Sequence, residues 1–310
     1  MYWRLTSSLP RWPQSHITYI FLAALLIPTA YLSSLLYSHH VKPPQVTYSD
    51  LDDSYIGSAR IRPPHISAKI WQIYLTHGLA AAPKDNLYTW ISHSPSYAYT
   101  MVDAQEADNI IYKLSQIEKY AQIQLMFSRM TRRVMRADFL RYLILATEGG
   151  VYSDIDTRLI RPIDEWVPGE YKDRTRLVIA LEVDQSPPAK GTVYDVQFCQ
   201  WTVAAAPNHP VLWNMVDRIL GNMSAIANTE GYGHKNFTDQ DILNITGPVG
   251  WTEAIYEYLS NITDTTMTWK NITGIKHPIL YDDVLILPLE AFRTSLVQHL
   301  FSGSWKKGWV

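Results

Sequence analysis

Arg136 to Thr157 reads RADFLRYLILATEGGVYSDIDT, and this stretch leaves the chain little conformational freedom. Val134, Phe139, Leu143 and Ala146 are apolar positions of a helical pattern, and Gly149 is placed to end that helix. A short apolar strand follows Gly150 and runs into Asp154 and Asp156. Buried charge is costly unless something pairs with it. The two carboxylates therefore either emerge at a solvent-facing turn or hold a cation between them. On an extended strand, residues two apart share a face.

The same helix–strand alternation runs from His65 onward. SAKIWQIYL, YAYTMVD, VYSDID, RLVIALEVD, VQFCQWTVAAA and DDVLILP read as strands. AQEADNIIYKL, SQIEKYAQIQLMFSRM, HPVLWNMVDRIL and WTEAIYEYLSNI read as helices. The pattern predicts one α/β domain over 65–310, with a mostly parallel central sheet covered on both faces.

The amino-terminal part follows another rule. Ile17 to Tyr37 carries no charge and is long enough to span a bilayer as one helix. It predicts a tail over 1–16, a transmembrane anchor over 17–37 and a Pro- and acid-containing stem over 38–64. Arg4 and Arg11 precede the span, which favours a cytosolic amino terminus. Asn222, Asn236, Asn244, Asn261 and Asn271 each begin an Asn-x-Ser/Thr acceptor, which suggests that the carboxy-terminal region is lumenal. A net charge of −2 without like-charged runs speaks against nucleic acid as a partner. A lone cysteine, Cys199, excludes an internal disulfide.

Asp154 and Asp156 together form a hard-oxygen pair suited to Mn²⁺ or Mg²⁺. Asp138, Arg141 and Tyr142 lie at i, i+3 and i+4 and share one helix face. The Asp–Arg pair there is either an intrahelical salt bridge at the core edge or a site for sugar hydroxyls and phosphate oxygens.

RADFLRYLILATEGGVYSDIDT resembles the signature of glycosyltransferase family 32: an Ala-Asp-x-x-Arg-Tyr helix, a Gly-Gly-x-Tyr turn and an Asp-x-Asp. AKIWQIY, LILPLEAF and HLFSGSW resemble the family's opening and closing segments. LEVD, QFCQWTVAAAPNHP and ITGPVGW are similar to the branch of fungal initiation-specific α-1,6-mannosyltransferases of the Golgi. The resemblance implies a GT-A-like nucleotide-sugar-binding fold and a retaining, metal-dependent transfer of mannose from GDP-mannose to a glycoprotein N-glycan, forming an α-1,6 linkage. It also implies a single-pass type II Golgi membrane protein, working alone or within a mannosyltransferase complex. Asp154 and Asp156 match the metal and diphosphate motif, with His299 completing the metal shell or touching the diphosphate. Asp138 and Arg141 match donor-sugar contacts, and Tyr152 matches the tyrosine of the glycine turn. Ser304 and Trp305 would close over the phosphates. Tyr74 occupies the place where many relatives stack Trp on the nucleobase. Glu182 and Asp184 are candidates for acceptor or sugar-hydroxyl contacts.

Three other readings stay open on the sequence. The family also contains mannosyltransferases acting on inositol-phosphoceramide, which usually carry further apolar spans near the carboxy terminus. A non-catalytic subunit of a Golgi complex would keep the fold without turnover. Haloacid-dehalogenase-type phosphohydrolases also use Asp-x-Asp, but near the domain start and with a different spacing to Thr.

Overall fold

The computed structural model describes residues 65–75, 82–230 and 236–301. The predicted tail, anchor and stem, together with Ser304 and Trp305, lie outside them. Among the described residues, no helix is long and apolar enough to cross a membrane.

The first half is built from parallel crossovers. Strand β1 (Lys69–Ile73) leads through helix α1 (Lys84–His93) to β2 (Ala98–Val102), which pairs parallel beside it. Helices α2 (Ala104–Ser115), α3 (Ile123–Arg129) and α4 (Arg133–Glu148) then return the chain to β3 (Gly150–Ser153), parallel to β1 on its other side. The stretch read as one helix from Ser115 to Met130 is a 3₁₀ turn at Glu118–Tyr120 followed by α3.

After β3 come β4 (Thr157–Leu159), β5 (Leu177–Asp184), β6 (Val196–Phe198) and β7 (Thr202–Ala205). Helices α5 (Pro210–Glu230), α6 (Asp239–Ile245) and α7 (Pro248–Thr263) precede β8 (Ile279–Tyr281), β9 (Val284–Leu287) and β10 (Val297–His299). The main sheet has the order β2-β1-β3-β7-β5-β9-β8, with β6 added beside β5. Strands β2, β1, β3, β5 and β9 run in one direction, while β7, β6 and β8 run against them. The sheet is thus mixed but mostly parallel in direction.

Period-two alternation divides the core. In β5, Leu177, Ile179 and Leu181 join one apolar cluster and Val178 and Ala180 the other; in β9, Val284 and Ile286 oppose Leu285 and Leu287. Phe139, Leu143, Leu212, Ile219, Trp251 and Ile255 of α4, α5 and α7 cover the first face. Trp90, Trp166, Phe292 and Val297 cover the second. Each fully buried aliphatic side chain contributes roughly 1.5–3 kcal/mol, so a strand buried on both faces needs no polar residue to hold it.

Two local features aim the chain at the site. Helix α4 is buried on nearly all sides and ends at Gly149, whose φ of 63° and N–H bond to Leu145 O close it. A Cβ there would lie 2.6 Å from Pro207 Cδ, and one on Gly150 (φ 101°) would lie 2.7 Å from Lys69 O. Only glycine lets the helix turn directly into β3 at this spacing.

The second feature lies in VQFCQWTVAAA. Both halves of that predicted strand run antiparallel to β5, with Phe198 opposite Leu181 and Ala204 opposite Val178. Six residue steps on one side thus face three on the other. Cys199 N still donates to Ala180 O at 2.9 Å, so the surplus falls at Gln200–Trp201 as a bulge, which re-aims Trp201.

Candidate active site

The two aspartates are not on an extended strand. Strand β3 ends at Ser153, and Asp154 to Asp156 form a tight turn before β4. Asp154 O accepts from Thr157 N at 3.2 Å and Thr157 Oγ1 at 2.6 Å, and also from Gln72 Nε2 at 3.0 Å. Gln72 is itself held by Tyr99 Oη at 2.8 Å. Satisfying that carbonyl from the turn's own end favours the bend over continued strand. Helix α1 clamps the turn from the other face: Trp90 Nε1 reaches Thr157 O at 3.3 Å and Thr89 Oγ1 accepts from Leu159 N at 2.9 Å.

Strand β10 pairs antiparallel with β4 and sets His299 opposite Thr157. The His299 Nε2 atom then lies 3.2 Å from Asp156 Oδ1. Asp154, Asp156 and His299 each offer one ligand atom, all within 4.8 Å of one another, and they are the group of this kind among the described residues.

A buried polar ladder stands behind Asp154. Arg141 donates from Nη2 to Asp154 Oδ1 at 2.8 Å and from Nη1 to Asp138 Oδ1 at 2.7 Å. Tyr152 Oη donates to the same Asp154 oxygen at 2.6 Å, and its ring lies beneath the guanidinium at 4.7 Å. Thr246 Oγ1 donates to Asp138 Oδ2 at 3.0 Å. Asp138 and Arg141 are 2% and 3% exposed, whereas Asp154 and Asp156 are 29% and 19% exposed. Burial pushes the Asp138 carboxyl up to about 6 against the pull of Arg141. Burial acts to lower the Arg141 pKa, but Tyr152, Asp154 and Asp138 outweigh it and hold the guanidinium charged.

Asp138 and Arg141 therefore form the intrahelical ion pair, and that same pair reaches Asp154. Tyr152 is buried with its hydroxyl on Asp154. Tyr74 is buried just beyond β1, with its N–H on Val102 O at 2.9 Å. Glu182 accepts from Gln197 Nε2 at 2.8 Å and Trp201 Nε1 at 3.1 Å, and burial raises its pKa against those two bonds. Asp184 accepts from Thr273 Oγ1 at 2.6 Å and Gly274 N at 2.7 Å, which ties β5 to the loop before β8. Gln72, Thr246 and Trp201 were not candidates from sequence, and only the chain's own fold brings them to the cluster.

The donor set fits a divalent cation. Two carboxylates and an imidazole make an oxygen-rich mixed site of the kind Mn²⁺ accepts.

The site is thus an Asp-x-Asp turn on an α/β sheet, backed by a buried arginine and closed by a histidine from β10. Residues 82–173 match the family described as glycosyltransferase sugar-binding region containing DXD motif. The chain is 36% identical over 234 residues to the initiation-specific α-1,6-mannosyltransferase of Schizosaccharomyces pombe, covering 70% of this chain and 58% of that protein. It is 34% identical over 255 residues to the protein of the same name from Candida albicans, covering 70% of this chain and 65% of that one. The chain thus spans only 58% and 65% of the length of these curated relatives. Among solved structures, PaToxG glycosyltransferase is similar with a TM-score of 0.44 and 15% identity, over 65% of this chain and 73% of that one.

Proposed function

We propose that this chain is a retaining, metal-dependent glycosyltransferase that moves mannose from GDP-mannose to an N-glycan core in an α-1,6 linkage. The observation that carries the reading is the Asp154–Asp156–His299 cluster, whose ligand atoms all lie within 4.8 Å of one another. The mannosyl and α-1,6 assignments rest on the curated relatives named above. In keeping with the uncharged span and the acceptor sequons, the catalytic region works in the Golgi lumen behind a single amino-terminal anchor.

Asp154, Asp156 and His299 would hold Mn²⁺ or Mg²⁺. When bound, the cation offsets charge on the departing diphosphate. Arg141 supplies a fixed positive charge whose direction is set by Asp138 below and Asp154 above. An α-linked product from an α-linked donor means retention. The bond from the anomeric carbon to the diphosphate oxygen breaks, the acceptor oxygen bonds to that carbon on the same face, and the acceptor's proton passes to the diphosphate.

The test is to incubate the purified full-length chain with Mn²⁺, a panel of nucleotide sugars and a high-mannose glycan. Transfer from GDP-mannose, abolished by chelator, is expected. Activity with another donor and none with GDP-mannose would overturn the mannosyl assignment.

A further inference from the structure

His299 is the weakest-tethered member of the cluster. A metal-binding imidazole normally has its orientation fixed by a hydrogen bond at the nitrogen facing away from the metal. Here Nε2 faces Asp156, and among the described residues the buried Nδ1 has no hydrogen-bond partner. Something other than hydrogen bonding must set the ring plane.

Trp201 lies against that ring. The two ring centroids are 4.5 Å apart with an interplanar angle of 14°, and Phe301 meets the imidazole edge-on at 4.1 Å and 64°. Trp201 is 5% exposed and its indole N–H is anchored on Glu182 Oε1 at 3.1 Å. Its backbone carbonyl accepts the N–H of Asp154 at 2.8 Å. One residue, set off the β5 ladder by the bulge between β6 and β7, thus touches Asp154 through its main chain and His299 through its ring. His299 in turn meets Asp156.

We propose that Trp201 is a positioning residue for the cation site: its ring face holds the His299 imidazole in the plane at which Nε2 joins the two carboxylates. In this role Trp201 acts through His299 and Asp154. The inference rests on the reading that Asp154, Asp156 and His299 bind a divalent cation. It adds that the histidine's place in the site is set by stacking and not by a hydrogen bond. Two flat rings at this separation hold orientation with little conformational freedom to lose.

The test measures Mn²⁺ affinity directly, by the electron paramagnetic resonance signal of free Mn²⁺ titrated into the nucleotide-free full-length chain. Trp201→Met keeps an apolar side chain but removes the ring. It is expected to raise the Mn²⁺ Kd by about tenfold or more, the scale seen when support of a ligating histidine is lost. Trp201→Phe keeps a ring against His299 and should stay within about threefold of the parent. Trp213→Met, in α5 where Trp213 stacks on Tyr120 far along the chain, controls for general loosening. Unchanged affinity in Trp201→Met, or equal weakening in Trp213→Met, would overturn the proposal. So would tenfold weakening in Trp201→Phe, which also decides the matter if the Met variant does not fold. The cation reading fails separately: it falls if the parent chain binds no Mn²⁺, or if Asp156→Asn binds it as well as the parent.

Discussion

Thr246 Oγ1 donates to Asp138 Oδ2 at 3.0 Å, joining α4 to the residue just after α6 across 108 positions of sequence. Both groups are buried, so this bond and the Arg141 bond supply what water would otherwise give the carboxylate. Thr246→Val keeps the shape and removes the donor. A buried acceptor left short of a partner costs about 1–3 kcal/mol, so the urea midpoint should fall accordingly. An unchanged midpoint would mean that Arg141 alone satisfies Asp138.

Arg141 holds the two carboxylates Asp138 and Asp154 together from a position that is 3% exposed. Arg141→Met leaves both without their cation, and breaking a buried pair on one side costs about 3–5 kcal/mol. Arg141→Lys restores the charge but not the fork that contacts both carboxylates at once. The expected order of thermal midpoints is parent, Lys, Met, with transferase activity lost in both variants. A Lys variant as active as the parent would show that charge alone suffices.

The Asp138 carboxyl supplies a pH signature. Its folded pKa of about 6 lies above the ordinary 3.8 because burial outweighs Arg141. A raised folded pKa means that the native state holds the proton more tightly than the unfolded chain. The stabilisation is then complete below about pH 4 and is lost as pH rises through about 6. Asp138→Asn has no such titration. The stability of the parent relative to Asp138→Asn should therefore fall by about 2–3 kcal/mol between pH 4 and pH 7. Denaturant midpoints collected across that range check it, and parallel curves would refute it.

How far these relationships were legible beforehand depends on which force fixed them. The Asp154–Asp156 pair and Arg141 stood out because charge is rare against an apolar background, whereas His299 entered only through the family resemblance. The continuous apolar run Leu177–Leu181 announced a strand buried on both faces. The bend at Asp154 did not show, since it arises when Thr157 bonds back to a carbonyl already held by Gln72 from another strand. The bulge at Trp201 was hidden because Val196 to Ala206 reads as one strand, and its register against β5 is a long-range property. Helix α1 was missed as well: its first residue follows Pro83 and it has no side-chain cap, so its sequence offers weak start signals.

Gly149 offers a prediction about how the fold delivers the site. Its φ of 63° and ψ of −167° form a conformation that side-chain-bearing residues rarely adopt, and a Cβ would meet Pro207 N and Cδ at 2.6 Å. Gly149→Ala must either strain the backbone or push Pro207 away, at a cost of about 1–3 kcal/mol. The bond from Trp71 Nε1 to Gly149 O at 2.8 Å resists the first route by fixing the carbonyl. Pro207 follows β7, which pairs with β3 through Gly150↔Ala205 to Ser153↔Thr202, so the second route would shift the strand carrying Asp154. The expected result is a lower thermal midpoint together with a Mn²⁺ affinity weakened by several-fold. A variant that loses stability while binding Mn²⁺ as before would show that the helix end and the aspartate turn are mechanically independent, and that the glycine pair serves the fold alone.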